Sequence, residues 1–161
     1  MNKIKRKCNL STWSLTLSTI FIAGLLAIAF LADFWLVTVV DCVFLVGLCI
    51  PALYFSPLSV EVDDEAVTVN FSLRHRSFKL SDIASAEDVQ PTMGEWRICG
   101  SGGFFGYWGW FSNKVLGRYF AYYGRGSECF IIRLHSGKIF MLGCEDHGTI
   151  LAHIQSMITT V

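Results

Sequence analysis

From Leu10 to Ala32 the chain reads LSTWSLTLSTIFIAGLLAIAFLA, with no ionisable side chain. About 20 such residues in a helix cross a hydrocarbon layer about 30 Å thick, so this run predicts a transmembrane helix over 10–32. After Asp33 a second apolar stretch runs from Phe34 to Phe55, broken only by Asp41 and ended by the Pro51 to Pro57 region, and predicts a second span over 35–56. One straight helix over both would be about 70 Å long, so the chain is expected to turn back near Asp33, Phe34 and Trp35. Trp13, Trp35 and Tyr54 fall near the ends of these spans, where amphipathic aromatics favour the membrane interface. The first run exceeds the roughly 7–15 residues of a signal-peptide core, and a second span follows at once, so an uncleaved hairpin is expected.

Charge placement gives the orientation. No Lys or Arg occurs from Cys8 to Leu73, whereas Lys3, Lys5, Arg6 and Lys7 stand just ahead of the first run. The positive-inside rule reads residues 1–9 as a basic cytoplasmic N-terminus. Two spans then predict a multi-pass protein of the inner (cytoplasmic) membrane with both termini cytoplasmic. Asp41 lies about two turns from the hairpin tip and has no second charge at similar depth, so it reads as a partly hydrated residue rather than a proton relay. Net charge is zero, which removes the basic surface expected of a nucleic-acid binder. Six cysteines without a C-x-x-C pair read as free thiols in a reducing compartment.

After Pro57 the pattern changes to a period of two. Leu58, Val60 and Val62 alternate with Ser59, Glu61 and Asp63, and Val67, Val69 and Phe71 with Thr68, Asn70 and Ser72, predicting a hairpin closed by Asp63, Asp64 and Glu65. Further strands are predicted at 76–80, 83–89, 97–99, across the aromatic stretch, and at 119–123, 129–134 and 138–142. Ile150, Leu151, Ile154, Met157 and Ile158 then fall at helical spacing, predicting a helix over 146–158.

The segment GFFGYWGWFSNKVLGRYFAYYGRGSECFIIRLHSGKIFMLGCEDHGTILAHI carries a glycine and aromatic run, a "GRYFAY" strand, a hydrophobic hairpin and a "D-x-x-x-x-L" helix entry. In these features residues 57–161 resemble the bacterial pleckstrin-homology-like (PH-like) proteins in which membrane helices precede the domain. The resemblance implies a two-helix transmembrane hairpin followed by a mainly-β PH-like barrel or sandwich capped by a C-terminal α-helix. It brings no catalytic signature. PH domains that bind phosphoinositides usually carry Lys and Arg in their first hairpin, so the acidic turn Asp63, Asp64 and Glu65 makes phosphoinositide recognition unexpected.

The remaining motifs are weak as chemistry. Gly94, Gly100, Gly102, Gly103, Gly106 and Gly109 interleave with Phe104, Phe105, Tyr107, Trp108, Trp110 and Phe111. A phosphate loop needs G-x-G-x-x-G and then a helix, but position 105 is Phe and no helix follows. Two readings of this loop stay open: strand core with glycine bends, or an edge dipping into the headgroup layer. Phe104, Phe105, Tyr107, Trp108, Trp110 and Arg118 are therefore the candidate partner or membrane contacts. Arg74, His75, Arg76 and Lys79 read as a solvated basic face. His75, His135, His147 and His153 with Cys144 lack zinc-site spacing, and no nucleophile sits in a recognisable local signature. No catalytic residue, cofactor or metal is expected. The sequence thus points to a membrane-anchored PH-like interaction module without catalysis, with the lipid bilayer and another protein as partners and no nucleic acid. A structural subunit of a larger membrane complex is the alternative, and an enzyme with an unrecognised site the weakest reading.

Overall fold

The opening of the first apolar run is rich in hydroxyls, and these satisfy one another within a helix. In the computed structural model, which describes residues 3–31, 34–92 and 94–159, the run forms α1 (Thr12–Leu31). Ser11 caps it, its Oγ accepting from the Ser14 N–H at 3.1 Å. Thr16, Ser18 and Thr19 each donate to the carbonyl four residues earlier, so their hydroxyls need no water. The second run forms α2 (Trp35–Phe55), which packs back along α1. Of the residues expected at the reversal, Asp33 lies outside the described residues. Asp41, expected to be partly hydrated, is in the second turn of α2 and buried, in a hollow that Leu25 and Ile28 of α1 also line.

Both helices are long and apolar enough to cross a membrane. Little of either is covered by the rest of the chain: Phe30 is 90% exposed and Trp35 70%. A core helix of a water-soluble domain would hide such side chains.

A sandwich of two sheets and a final helix follows. The first sheet has the order β1 (Ile4–Lys7), β2 (Pro57–Val62), β3 (Ala66–Phe71) and β4 (His75–Lys79), antiparallel throughout. The second has the order β5 (Ile83–Glu87), β9 (Cys129–Leu134), β10 (Ile139–Gly143), β8 (Gly117–Tyr123), β7 (Gly106–Asn113) and β6 (Trp96–Gly103), with β10 and β8 parallel. Val60, Val62, Val67 and Val69 of the first sheet meet Phe130, Ile132, Phe140 and Leu142 of the second, and α3 (His147–Thr159) closes this core with Ile150, Leu151 and Ile154. The second sheet is buried on its reverse face too, where Phe111, Tyr119, Ala121, Tyr123, Ile131 and Met141 cluster with Val89 of the β5–β6 connection. Burial on both faces is why β9 and β10 are apolar almost without interruption.

The predicted fold class is the one observed, with one addition. The basic N-terminus is not a bare flank: Ile4 to Lys7 form an edge strand on β2, in register from Ile4 opposite Val62 to Lys7 opposite Ser59. Lys3 pairs with Glu61 at 2.6 Å, and Arg6 reaches Asp146 at the entrance of α3 at 3.1 Å. A single apolar residue among four cations gave no strand periodicity to read.

Candidate functional site: a hairpin on the helix pair and an arginine-lined mouth

The glycine and aromatic stretch folds as a long hairpin, β6–β7, with Phe104 and Phe105 as its two-residue tip. Its glycines have a specific task where Gly100 faces Gly109. Both take positive φ, +124° and +121°, and a Cβ on either would strike the backbone of the other strand. With side chains removed there, the strands close up and the aromatic residues project around the tip.

That tip lies against the helix pair. The Phe105 N–H donates to Ser18 Oγ at 2.9 Å, and the Phe104 ring meets Phe21 edge-on with centroids 5.9 Å apart. Ser14 and Ser18 are buried on the same side of α1. At 1.5 Å per residue, Ser18 and Phe21 stand about 9 Å and about 14 Å beyond the start of α1. Phe105 holds φ at +51°, a conformation that costs a bulky residue on the order of 1–3 kcal/mol. Its bond to Ser18 fixes the strained residue in place.

The six residues singled out from sequence do not share one site. Phe104 and Trp108 line a groove of about 350 Å³ between the hairpin and the helices, together with Leu17, Phe21, Leu48 and Pro51, while Arg97 and Ser101 supply its polar groups. Phe105 is beside it at the tip. Tyr107 instead stacks on Tyr123 over the reverse face, with centroids 4.8 Å apart. Trp110 packs edge-on to Phe120 with the Arg118 guanidinium 4.7 Å over its ring, away from the helices. Part of the aromatic run is thus sheet packing and part is a surface presented to α1 and α2.

A second feature was hidden from sequence. Arg76 stands opposite Val69 and shares a sheet face with Phe78, the face that looks into the sandwich. Arg74, in the β3–β4 turn, points the same way. Both guanidinium groups donate to the buried Tyr122 Oη, at 3.3 Å from Arg74 and 3.0 Å from Arg76. Arg74 also donates to the Tyr54 carbonyl at 3.0 Å and lies over the rings of Tyr54, Phe55 and Phe71. Arg76 covers Phe78 and Phe140. Among the described residues neither arginine has a carboxylate partner. These residues were expected on a solvated face. Only the alternation Arg74, Arg76, Phe78 hinted otherwise, because two charges at core positions do not resemble a strand's inner side.

The groove and the arginines are continuous. Phe55, under the Arg74 guanidinium, stacks on Trp108 of the groove wall with centroids 5.1 Å apart and planes 13° from parallel.

Four buried groups elsewhere are held in their protonated forms. Burial, reinforced by the nearby Glu95, pushes the Tyr119 phenol up, and burial does the same to the Tyr123 phenol and the Cys129 thiol. Burial also pushes the Cys144 thiol up to about 12. A thiol raised in this way stays protonated at neutral pH, opposite to what a nucleophile requires. All six cysteines are free, and among the described residues no group of three or more His, Cys, Asp and Glu side chains could hold a metal ion.

Searches of curated proteins and of solved structures gave no match. The family model described as bacterial PH domain matches residues 58–158, which take in β2 through most of α3. With that match over more than half its length, the chain belongs to the bacterial PH domain family.

Proposed function

We propose that the chain is a membrane-anchored binding module without catalysis of its own, whose PH domain is held down on the bilayer by the two apolar helices. The observation that carries this reading is the packing of the Phe104–Phe105 tip about 9–14 Å along α1. A helix pair that spans about 30 Å of hydrocarbon would carry that tip past the headgroups, where exposed apolar rings are favoured. The pairing of β1 with β2 supports a topology with both ends of the hairpin on one side of the bilayer, because the strand before α1 and the domain after α2 share one sheet. The four cations of the N-terminus favour the cytoplasmic side for both.

The sheet edges and turns facing away from the helices are then available to a protein partner. Protease protection in sealed vesicles tests the arrangement. Tags at residue 1 and residue 161 are expected to be cut from the same face, and cleavage from opposite faces overturns the reading.

A second reading, a structural subunit of a larger membrane complex, draws on a shallow apolar hollow along Thr38, Val39, Cys42, Val43 and Val46 of α2. Crosslinking through Cys42 separates the two. Trapped protein partners within the bilayer favour the subunit, and their absence alongside partners trapped through the domain favours the module.

A further inference from the structure

Arg76, half-buried on the core face of the first sheet, and Arg74, half-buried in the β3–β4 turn beside it, favour an anion near them, because desolvated cations without a counter-charge are costly. Arg74 and Arg76 instead share one neutral oxygen, the Tyr122 hydroxyl, which holds them within a single hydroxyl's reach of each other. Tyr122 is itself only 1% exposed, so its hydroxyl positions the two guanidinium groups. Two cationic donors therefore converge where no carboxylate stands among the described residues.

Position narrows the choice of anion. Arg74 is bonded to the Tyr54 carbonyl at the end of α2, the level at which a spanning helix leaves the hydrocarbon. From there the stacked rings of Phe55 and Trp108 lead directly into the groove between hairpin and helices. The two arginines stand at one end of this path, and the groove at the other end is apolar apart from Arg97 and Ser101. A free phosphate would use the first and leave the second empty, whereas a phospholipid matches both. The opposite end of β3 bears the acidic turn Asp63, Asp64 and Glu65, so only the helix-proximal end of this sheet suits an anion.

We propose that Arg74 and Arg76, positioned by Tyr122, bind the phosphate of one anionic phospholipid, with an acyl chain in the groove lined by Leu17, Phe21, Leu48, Pro51, Phe104 and Trp108. The proposal rests on the membrane-anchored reading and adds a specific ligand to it. The lipid is a seated ligand, distinct from the bulk bilayer, and it braces the domain against the helix pair. Guanidinium and phosphate form paired, charge-assisted hydrogen bonds that a lysine would not reproduce.

The test uses the full chain in nanodiscs of equal parts phosphatidylglycerol and phosphatidylcholine, with retained lipid counted by native mass spectrometry after release. One phosphatidylglycerol per chain is expected to persist in preference to phosphatidylcholine. Retention should fall about tenfold or more in Arg74→Gln/Arg76→Gln and severalfold in Tyr122→Phe, which keeps every charge. Lys114→Gln/Lys138→Gln, an equal loss of charge at exposed turns, should retain the lipid as the parent does. If the double arginine variant fails to fold by circular dichroism, the Tyr122→Phe result decides. Equal retention of the two lipids by the parent chain, or unchanged retention in Tyr122→Phe, overturns the proposal. In pure phosphatidylcholine nanodiscs with millimolar inorganic phosphate, a retained phosphate at full occupancy would assign the site to the free ion and overturn the lipid. A chain that never enters the nanodisc contradicts the membrane-anchored reading itself, whereas one that enters and shows no preference contradicts only the lipid site.

Discussion

Two hairpins of the same domain end in opposite chemistry. The β2–β3 turn is Asp63, Asp64 and Glu65, where the Asp63 carboxylate accepts from the Glu65 and Ala66 N–H groups at 2.9 and 2.8 Å and the turn caps itself toward water. The β6–β7 tip is Phe104 and Phe105: the Phe104 carbonyl accepts from the Ser101 hydroxyl of β6, while the strained Phe105 donates its N–H to Ser18 of α1. The first lies a whole strand away from the end of α2, and the second touches the helix pair. Turn chemistry alone would favour polar or glycine residues at both. The difference shows that what a hairpin faces decides its tip, and here one faces solvent and the other a surface built of Leu and Phe.

Substitutions should split along that line. The largest effect is expected at Gly100→Val, which places a branched side chain against the Trp108 carbonyl and 2.8 Å from Gly109 Cα at positive φ. Thermal unfolding of the detergent-solubilised chain should lose about 3 kcal/mol or more. A near-parental melting curve would mean the two strands are not closed up as described.

Next in size is Tyr122→Phe, which removes the oxygen that Arg74 and Arg76 share. Stability should fall by about 1–3 kcal/mol, because two donors are left without their acceptor. Phe104→Ala should cost about 1–2 kcal/mol by loss of the Phe21 contact and groove wall, and it should shift indole emission to the red as Trp108 is uncovered. The matching change at the other hairpin, at the exposed side chain of Glu65, Glu65→Gln, should stay within about 0.5 kcal/mol. Similar losses at residues 65 and 104 would remove the contrast between the hairpins.

Acid supplies the smallest effect. Backbone bonds from Glu65 and Ala66 hold the Asp63 carboxyl below the usual carboxylate range, and the Thr149 hydroxyl, then Arg6, do the same for Asp146. A carboxyl lowered by folding stabilises above its unfolded value, about 3.9, and that contribution is lost as pH falls through the folded value. Protection of β1 against hydrogen exchange, taken relative to the intrinsic rate at each pH, should therefore fall below about pH 4, since Arg6 to Asp146 ties that strand to the entrance of α3. Asp146→Asn should flatten this dependence, and an unchanged profile would show that another group controls it.

Much of this was legible in the sequence. The helix pair shows as uninterrupted hydropathy, β2 and β3 as alternation, and α3 as spaced Ile and Leu, because in each the environment imposes one period. The arginine mouth was not legible, because Arg76 occupies an inward position that periodicity assigns to apolar residues, and the groups bonded there, Tyr54 by Arg74 and Tyr122 by both arginines, are distant in the chain. Nor was β1, whose register comes from β2 and from ion pairs to Glu61 and Asp146 rather than from its own pattern. For the candidate contacts, the sequence could not separate Phe104 and Trp108, which line the groove beside the helices, from Tyr107, Trp110 and Arg118, which pack on the second sheet.

The most direct test of the account is labelling by a phospholipid that carries a carbene-generating group within its acyl chain, with the full-length chain in vesicles and adducts located by peptide mass spectrometry. Adducts should appear on α1, on α2 and on the Phe104–Phe105 tip, and none on Asp63 to Glu65. Labelling confined to the two helices, with the β6–β7 tip as unmarked as the acidic turn, would contradict a domain seated in the bilayer.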